Sequence, residues 1–150
     1  MTRNSLIFIA AGGSFALLAG AFLFQAIGYA PCQLCLWQRW PHAAAIVIGA
    51  LVLAAGFSGR LWAWLGALAA AATGGIGIYH TGIERGWWQG PTSCTGSGDL
   101  GSGADLLSMD GPALVLCDQV SLWILGLSMA SWNVIFSLAF MAIWIMAARR

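Results

Sequence analysis

Four cysteines are the residues of this 150-residue chain best suited to chemistry. Cys32 and Cys35 form a Cys-X-X-Cys motif, whereas Cys94 and Cys117 lie in a later, more polar segment. A bridge across two intervening residues closes a tiny loop and removes little chain entropy, so the Cys32–Cys35 spacing is more typical of redox cycling than of a staple. Cys32 with Cys35 and Cys94 with Cys117 are therefore the predicted pairs, out of three arithmetically possible pairings.

Two other interpretations of the cysteines stay open at this point. A bridge between Cys94 and Cys117 could be a purely structural staple of a long loop. Four cysteines could also bind zinc, although the second pair lacks the tight spacing typical of zinc ligands. We expect no metal site, because an oxidising compartment disfavours free thiolates.

Charged and polar residues near the motif could support thiol chemistry. Cys35 lies at or near the start of a predicted helix, where free backbone N–H groups favour a thiolate. Arg39 follows four residues later on the same helical face, where its charge could bind an electron-rich ligand or simply snorkel to the membrane surface. His42 is expected to pack at the interface, and His80 is expected to close a later helix on the same side of the membrane.

Composition indicates an integral membrane protein. The chain is 60% hydrophobic and 7% charged, with a mean hydropathy of +0.83, whereas soluble domains carry about 25% charged residues. A span needs about 20 mostly apolar residues. Four stretches qualify, and they predict an all-α bundle of four transmembrane helices at about 6–28, 36–57, 61–80 and 132–148.

The connections between the spans complete the predicted fold. Residues 1–150 are expected to form one integral membrane domain, with loops at 29–35 and 81–131. Within the second loop, Val120 to Met129 is apolar but too short to span, so it predicts a short horizontal helix in the membrane interface.

Arginine placement predicts the orientation of the chain in the membrane. Four of the six arginines flank the ends that we assign to the cytoplasm, namely Arg3, Arg60, Arg149 and Arg150. Both termini are then cytoplasmic, and both cysteine-bearing loops face the outer side of the membrane, where a bacterial periplasm would be oxidising. The chain has no lysine and no basic run, so we expect no nucleic-acid partner.

Electron flow between the pairs suggests a mechanism. A soluble dithiol partner could attack Cys94–Cys117 through a mixed disulfide, and exchange would pass the electrons to Cys32–Cys35. The motif continues with Leu36 rather than histidine, so it is not a haem-attachment site, and no dinucleotide fingerprint is present. A lipid-soluble quinone is then the acceptor available to a chain with so little soluble structure.

Several stretches resemble the redox motifs of the DsbB (disulfide bond formation protein B) family across nearly the whole chain. They are Pro31-Cys32-Gln33-Leu34-Cys35-Leu36-Trp37-Gln38-Arg39-Trp40-Pro41, Tyr79-His80 followed by Glu84, Gly86-Trp87-Trp88, Gly90-Pro91-Thr92-Ser93-Cys94, and Leu127-Ser128-Met129-Ala130-Ser131-Trp132-Asn133. The segment between Cys94 and Cys117 looks shorter than in well-known members.

The resemblance implies an enzyme of the bacterial inner membrane that reoxidises a periplasmic thioredoxin-fold partner of the DsbA type. It implies that Cys94 forms the mixed disulfide, that Cys117 passes the oxidation on to Cys32, and that Cys35 is the thiolate beside a quinone. Arg39 would stabilise that pair, and His80 would lie near the quinone. Ubiquinone is the implied cofactor, with menaquinone as a substitute.

Two alternatives remain from the residues. An enzyme like vitamin K epoxide reductase also pairs loop cysteines with a Cys-X-X-Cys motif beside a quinone, but there the loop pair comes first in the chain. A non-enzymatic membrane protein with two inert disulfides is the other.

Overall fold

The computed structural model describes residues 1–57, 59–91, 94 and 116–150. Four long helices dominate the described residues: α1 (Arg3–Ala26), α2 (Gln33–Ala54), α3 (Arg60–Glu84) and α4 (Met129–Arg149). These bounds agree with the four predicted helical stretches to within a few residues, except that α3 continues one turn past His80. Parts of the predicted second loop, namely 92–93 and 95–115, lie outside the described residues.

The four helices form a ring in chain order. α1 packs on α2 and α4, and α3 packs on the same two helices, so that α1 and α3 face each other across the diagonal. Short connections make α1 and α2, and likewise α2 and α3, antiparallel, and a hydrogen bond between Glu84 and Ser128 brings the end of α3 to the start of α4. The N-terminus of α2, the C-terminus of α3 and the N-terminus of α4 therefore meet at one end of the bundle.

The described helices differ in how apolar they are. α1, α3 and α4 are long and apolar enough to cross a membrane. The chain thus has the composition of a membrane protein, as the sequence predicted. α2 has 22 residues, but its first half carries Gln38, Arg39 and His42. Its passage across the bilayer is consequently a proposal, taken up below.

The predicted interfacial helix over Val120–Met129 is wrong. Two short antiparallel strands, β1 (Trp123–Ile124) and β2 (Leu127–Ser128), form a hairpin there. Leu125 and Gly126 connect them with positive φ angles of 50° and 79°, the combination that a tight two-residue hairpin turn requires. A glycine in the middle of a ten-residue apolar stretch favours this turn over a continuous helix.

The core at the other end of the bundle is built around one large side chain. Trp144 of α4 is fully buried, in a cluster with alanines of α1, α3 and α4 and with Val52 of α2. Small residues allow the helices to approach closely, as is typical of helix packing in membranes. A Cβ added at Gly66 of α3 would lie 2.5 Å from the Trp144 ring, so the indole packs directly against the backbone of this glycine.

We predict that Gly66→Ala destabilises the bundle by about 1–3 kcal/mol, because the extra methyl group would collide with the Trp144 ring. Gly75→Ala on the same helix is the matched control, since nothing lies within 4 Å of its added Cβ. Thermal unfolding in detergent should give a lower midpoint for the first variant and an unchanged or slightly higher one for the second. Equal midpoints for the two variants would contradict this packing.

Candidate redox site

Cys32 begins α2 as its N-cap residue. Its Sγ accepts a hydrogen bond from the backbone N–H of Cys35 at 3.3 Å, and the two Sγ atoms are 3.0 Å apart. Both cysteines are free thiols in the structure, with Cys32 buried and Cys35 partly buried. The Cys-X-X-Cys motif therefore caps the helix with one of its own sulfur atoms, which fixes both cysteines at the mouth of the bundle.

Cys94 and Cys117 form a disulfide, with their Cα atoms 5.3 Å apart. The backbone N–H of Cys117 also donates to the carbonyl of Cys94. Both residues are buried, and they pack in one cluster with Cys32, with Cys35 against it. The structure thus brings the two predicted pairs together, and their sulfur atoms share one apolar neighbourhood that Leu34 and Ile83 help to form.

His80 lies between the two cysteine pairs. Its Nε2 is 3.5 Å from the Sγ of Cys32 and 3.7 Å from Oε1 of Glu84. Its Nδ1 is 3.3 Å from Nε2 of Gln38, and its ring also interacts with the backbone of Cys117. The sequence analysis placed His80 at the end of its helix, but α3 continues to Glu84, so His80 lies inside the helix. Both of its nitrogens have partners.

Glu84 connects this histidine to the start of α4. Its Oε2 accepts a hydrogen bond from Oγ of Ser128 at 2.5 Å. The same Oγ caps α4 by accepting the backbone N–H of Ser131. The carboxylate is almost fully buried, so this contact ties the ends of α3 and α4 together beside the cysteines.

Arg39 extends from α2 towards α1. Its Nη1 donates to Oε1 of Gln25 at 2.7 Å, and its Nη2 donates to the carbonyl of Ala21 at 3.4 Å. The guanidinium carbon also lies 4.6 Å from the centre of the Phe22 ring. The arginine is thus fixed by defined contacts, whereas a side chain that only snorkels to the surface would extend into solvent.

His42 is buried inside the bundle, contrary to the expected packing at the interface. Its Nε2 lies 2.8 Å from Oδ1 of Asn133 on α4. The Asn133 amide nitrogen donates to Oγ1 of Thr73 at 3.3 Å, and that hydroxyl donates to the carbonyl of Gln38. This chain of hydrogen bonds joins α2, α3 and α4 farther into the bundle than the cysteines at the start of α2.

A cavity of about 430 Å³ opens beside the cysteines. Eight of its lining residues carry the polar chemistry already described, namely Cys32, Cys35, Gln38, Arg39, His42, His80, Glu84 and Asn133. Apolar residues of α1, α4 and the segment 119–124 form most of the remaining wall. Its size and its mostly apolar lining with a few polar groups are typical of a small-molecule site.

Of the two cysteines in the reduced Cys-X-X-Cys pair, Cys32 is the one that carries the negative charge. The pKa of the Cys32 thiol is lowered to about 4, mainly by its side-chain hydrogen bond with Cys35 and further by the neighbouring His80. The N-cap position adds the backbone N–H of Cys35 as a donor. The thiolate expected at Cys35 instead lies three residues earlier, because Cys32 is the residue that occupies the helix cap.

The geometry also bears on the metal interpretation. Ligand atoms of Cys32, Cys35 and His80 lie within 4.8 Å of one another. The four-thiolate zinc site that the sequence left open is not formed, because Cys94 and Cys117 are joined in their own disulfide. The prediction of no metal stays a prediction.

Comparison with known protein families shows the family to which this chain belongs. The family described as disulfide bond formation protein DsbB matches residues 3–147, nearly the whole chain. The chain belongs to the DsbB family. No significant match was found among curated proteins or solved structures. Membership confirms the family suggested by the redox motifs, and it makes the chain a membrane oxidoreductase of disulfide bond formation.

Sequence reasoning gave no role to three residues of the DsbB site, although two of them, Glu84 and Asn133, stand in the motifs that resemble the family. Gln25 and Asn133 bind the side chains of Arg39 and His42, and Glu84 binds His80 and Ser128. The spacing of four residues between His80 and Glu84 could have indicated the last of these contacts. The other two contacts join residues far apart in the chain, so the spacing of residues along the sequence could not predict them.

We predict that alkylation of Cys32 by iodoacetamide is nearly independent of pH between about pH 5.5 and 8, since its thiolate is already formed above pH 4. An ordinary cysteine would react about tenfold faster per pH unit over most of this range, because its thiolate fraction rises. Peptide mapping after short exposures measures the rate at Cys32 alone.

The matched variant is His80→Ala, which removes one cause of the lowered pKa and should restore part of the pH dependence. A wild-type rate that climbs steeply from pH 6 to 8 would show that Cys32 is not the charged sulfur.

Proposed function

We propose that this DsbB family member reoxidises a periplasmic DsbA-type thioredoxin-fold protein and passes the electrons through its two cysteine pairs to a membrane quinone. The observation that carries the proposal is the buried cluster of Cys32, Cys94 and Cys117, with Cys35 packed against it beside the cavity. Thiol–disulfide exchange needs a sulfur atom to reach the next disulfide directly. A shared cluster meets this requirement, and two separate structural staples would not need it.

The first exchange takes place at the outer pair. A thiolate of the reduced partner attacks the sulfur of Cys94, the Cys94–Cys117 bond breaks, and Cys117 leaves as a thiolate. The second thiol of the partner then attacks the mixed disulfide. The partner leaves with its own disulfide, and Cys94 and Cys117 have taken up two electrons.

The second exchange carries the electrons inward. Cys117 attacks Cys32 of an oxidised Cys32–Cys35 pair, and Cys35 leaves as a thiolate. Cys94 then attacks Cys117, which restores the Cys94–Cys117 disulfide and releases Cys32. The bonded outer pair and free inner pair of the structure correspond to the state after this step. A stapled protein with two inert bridges would need Cys32 and Cys35 to be bonded as well.

The residues around the cavity fit a quinone. A bound quinone would take two electrons and two protons and become a quinol. Nε of Arg39 is buried without a hydrogen-bond partner among the residues that the structure describes. A buried donor left unpaired costs about 1–3 kcal/mol, so a ligand oxygen is a natural partner for the guanidinium. Cys35 and His80 line the same cavity, and we assign them with Arg39 to the quinone site.

We assign ubiquinone as the acceptor, with menaquinone as a substitute, and the bacterial inner membrane as the location. α2 crosses the bilayer as the fourth span, since it packs between α1 and α3, which are both long and apolar enough to cross a membrane. Both termini then lie in the cytoplasm with most of the arginines, and both cysteine pairs face the periplasm.

We predict that the purified protein, supplied with a ubiquinone and a reduced DsbA-type protein, reduces the quinone, and that Cys35→Ser abolishes turnover. The substitution removes the sulfur that must leave in the inward exchange. Absorbance of the quinone measures the rate. The same variant should still form a mixed disulfide with the partner at Cys94, which shows that it is folded. Unchanged quinone reduction by Cys35→Ser would refute the proposed route.

A further inference from the structure

The position of the Arg39 guanidinium depends on α1 rather than on its own helix. Oε1 of Gln25 accepts from Nη1 at 2.7 Å, the carbonyl of Ala21 accepts from Nη2 at 3.4 Å, and the Phe22 ring lies beneath the charge. Of these, the Gln25 contact is the shortest. It is also the one that a side-chain substitution on α1 removes cleanly.

Fixing the Arg39 guanidinium at this position costs free energy, so other groups must stabilise it there. An arginine side chain has several rotatable bonds and loses rotamer entropy when it is fixed. Near the end of a membrane helix it would otherwise extend towards the headgroups. The Gln25 amide oxygen offsets that tendency by accepting a charge-assisted hydrogen bond at the cavity wall.

Gln25 acts on the cavity only through the arginine. It is not among the described residues that line the cavity, whereas Arg39, Ala21 and Phe24 are. Its own side chain is exposed at the last turn of α1. The buried Nε of Arg39, unpartnered within the described part of the chain, shows which donor the arrangement leaves for a ligand.

We infer that Gln25 is a positioning residue for the electron acceptor: it holds the Arg39 guanidinium at the cavity, oriented in advance for an oxygen atom of a quinone. The inference rests on the proposed function, because it assumes that the cavity binds the quinone. It adds α1 to the elements that determine quinone affinity, through a residue that does not touch the quinone itself.

Equilibrium binding of a short-chain ubiquinone to the protein in lipid nanodiscs tests the inference without turnover. Gln25→Leu should weaken binding about tenfold, the effect expected when a hydrogen bond to a charged group is lost. Leu23→Ala is the matched control, since Leu23 lies on the same turn of α1, is exposed and supplies none of the Arg39 contacts described above. It should bind like the wild type.

A double-substitution cycle separates positioning from general damage to α1. In an Arg39→Ala background, Gln25→Leu should cause no further loss, because the residue on which it acts is gone. A second tenfold loss in that background would overturn the inference. The KM for the reduced partner protein should stay unchanged in Gln25→Leu, since the cysteines that react with the partner are left intact.

The outcomes distinguish the inference from the function on which it rests. If the wild type binds quinone and Gln25→Leu binds equally well, Gln25 does not position Arg39, and the proposed function still stands. If the wild type binds no quinone, the proposed acceptor is wrong and the inference fails with it.

Discussion

The hydrogen bond from the backbone N–H of Cys35 to the sulfur of Cys32 is the contact around which the rest of this site is built. It makes the Cys-X-X-Cys motif part of the helix terminus, so the motif cannot move without unwinding the first turn of α2. The same contact stabilises a thiolate at Cys32 and directs its sulfur towards His80 and the outer disulfide. Reactivity and position therefore follow from one capping interaction.

A second constraint comes from polar groups inside a bundle that the membrane surrounds. The amide of Asn133 and the hydroxyl of Thr73 connect His42 to the backbone of Gln38, whose side chain in turn contacts His80. Unpaired polar groups are costly in an apolar environment, so such a chain of contacts fixes the rotation of three helices at once. The histidine beside the cysteines is held by the fold as much as by its own neighbours.

The sequence predicted the four helical stretches because hydropathy over some 20 residues reports directly on burial in lipid. It also predicted both cysteine pairs, which the structure places in one cluster. The hairpin at Leu125 and Gly126 was missed, since an apolar decapeptide carries no clear period and a two-residue turn depends on backbone angles. Contacts such as Gln25 with Arg39 were out of reach, because they depend on how α1 and α2 rotate against each other.

The central claim is that Cys117 can reach Cys32, so that the two pairs form one relay. A Cys35→Ser Cys94→Ser variant leaves these two cysteines as the only thiols of the chain. Non-reducing peptide mapping of the protein, oxidised in membranes, should find Cys32 and Cys117 joined in a disulfide in most molecules. If both instead remain free thiols, or form only links between molecules, the two pairs do not exchange electrons and the relay is wrong.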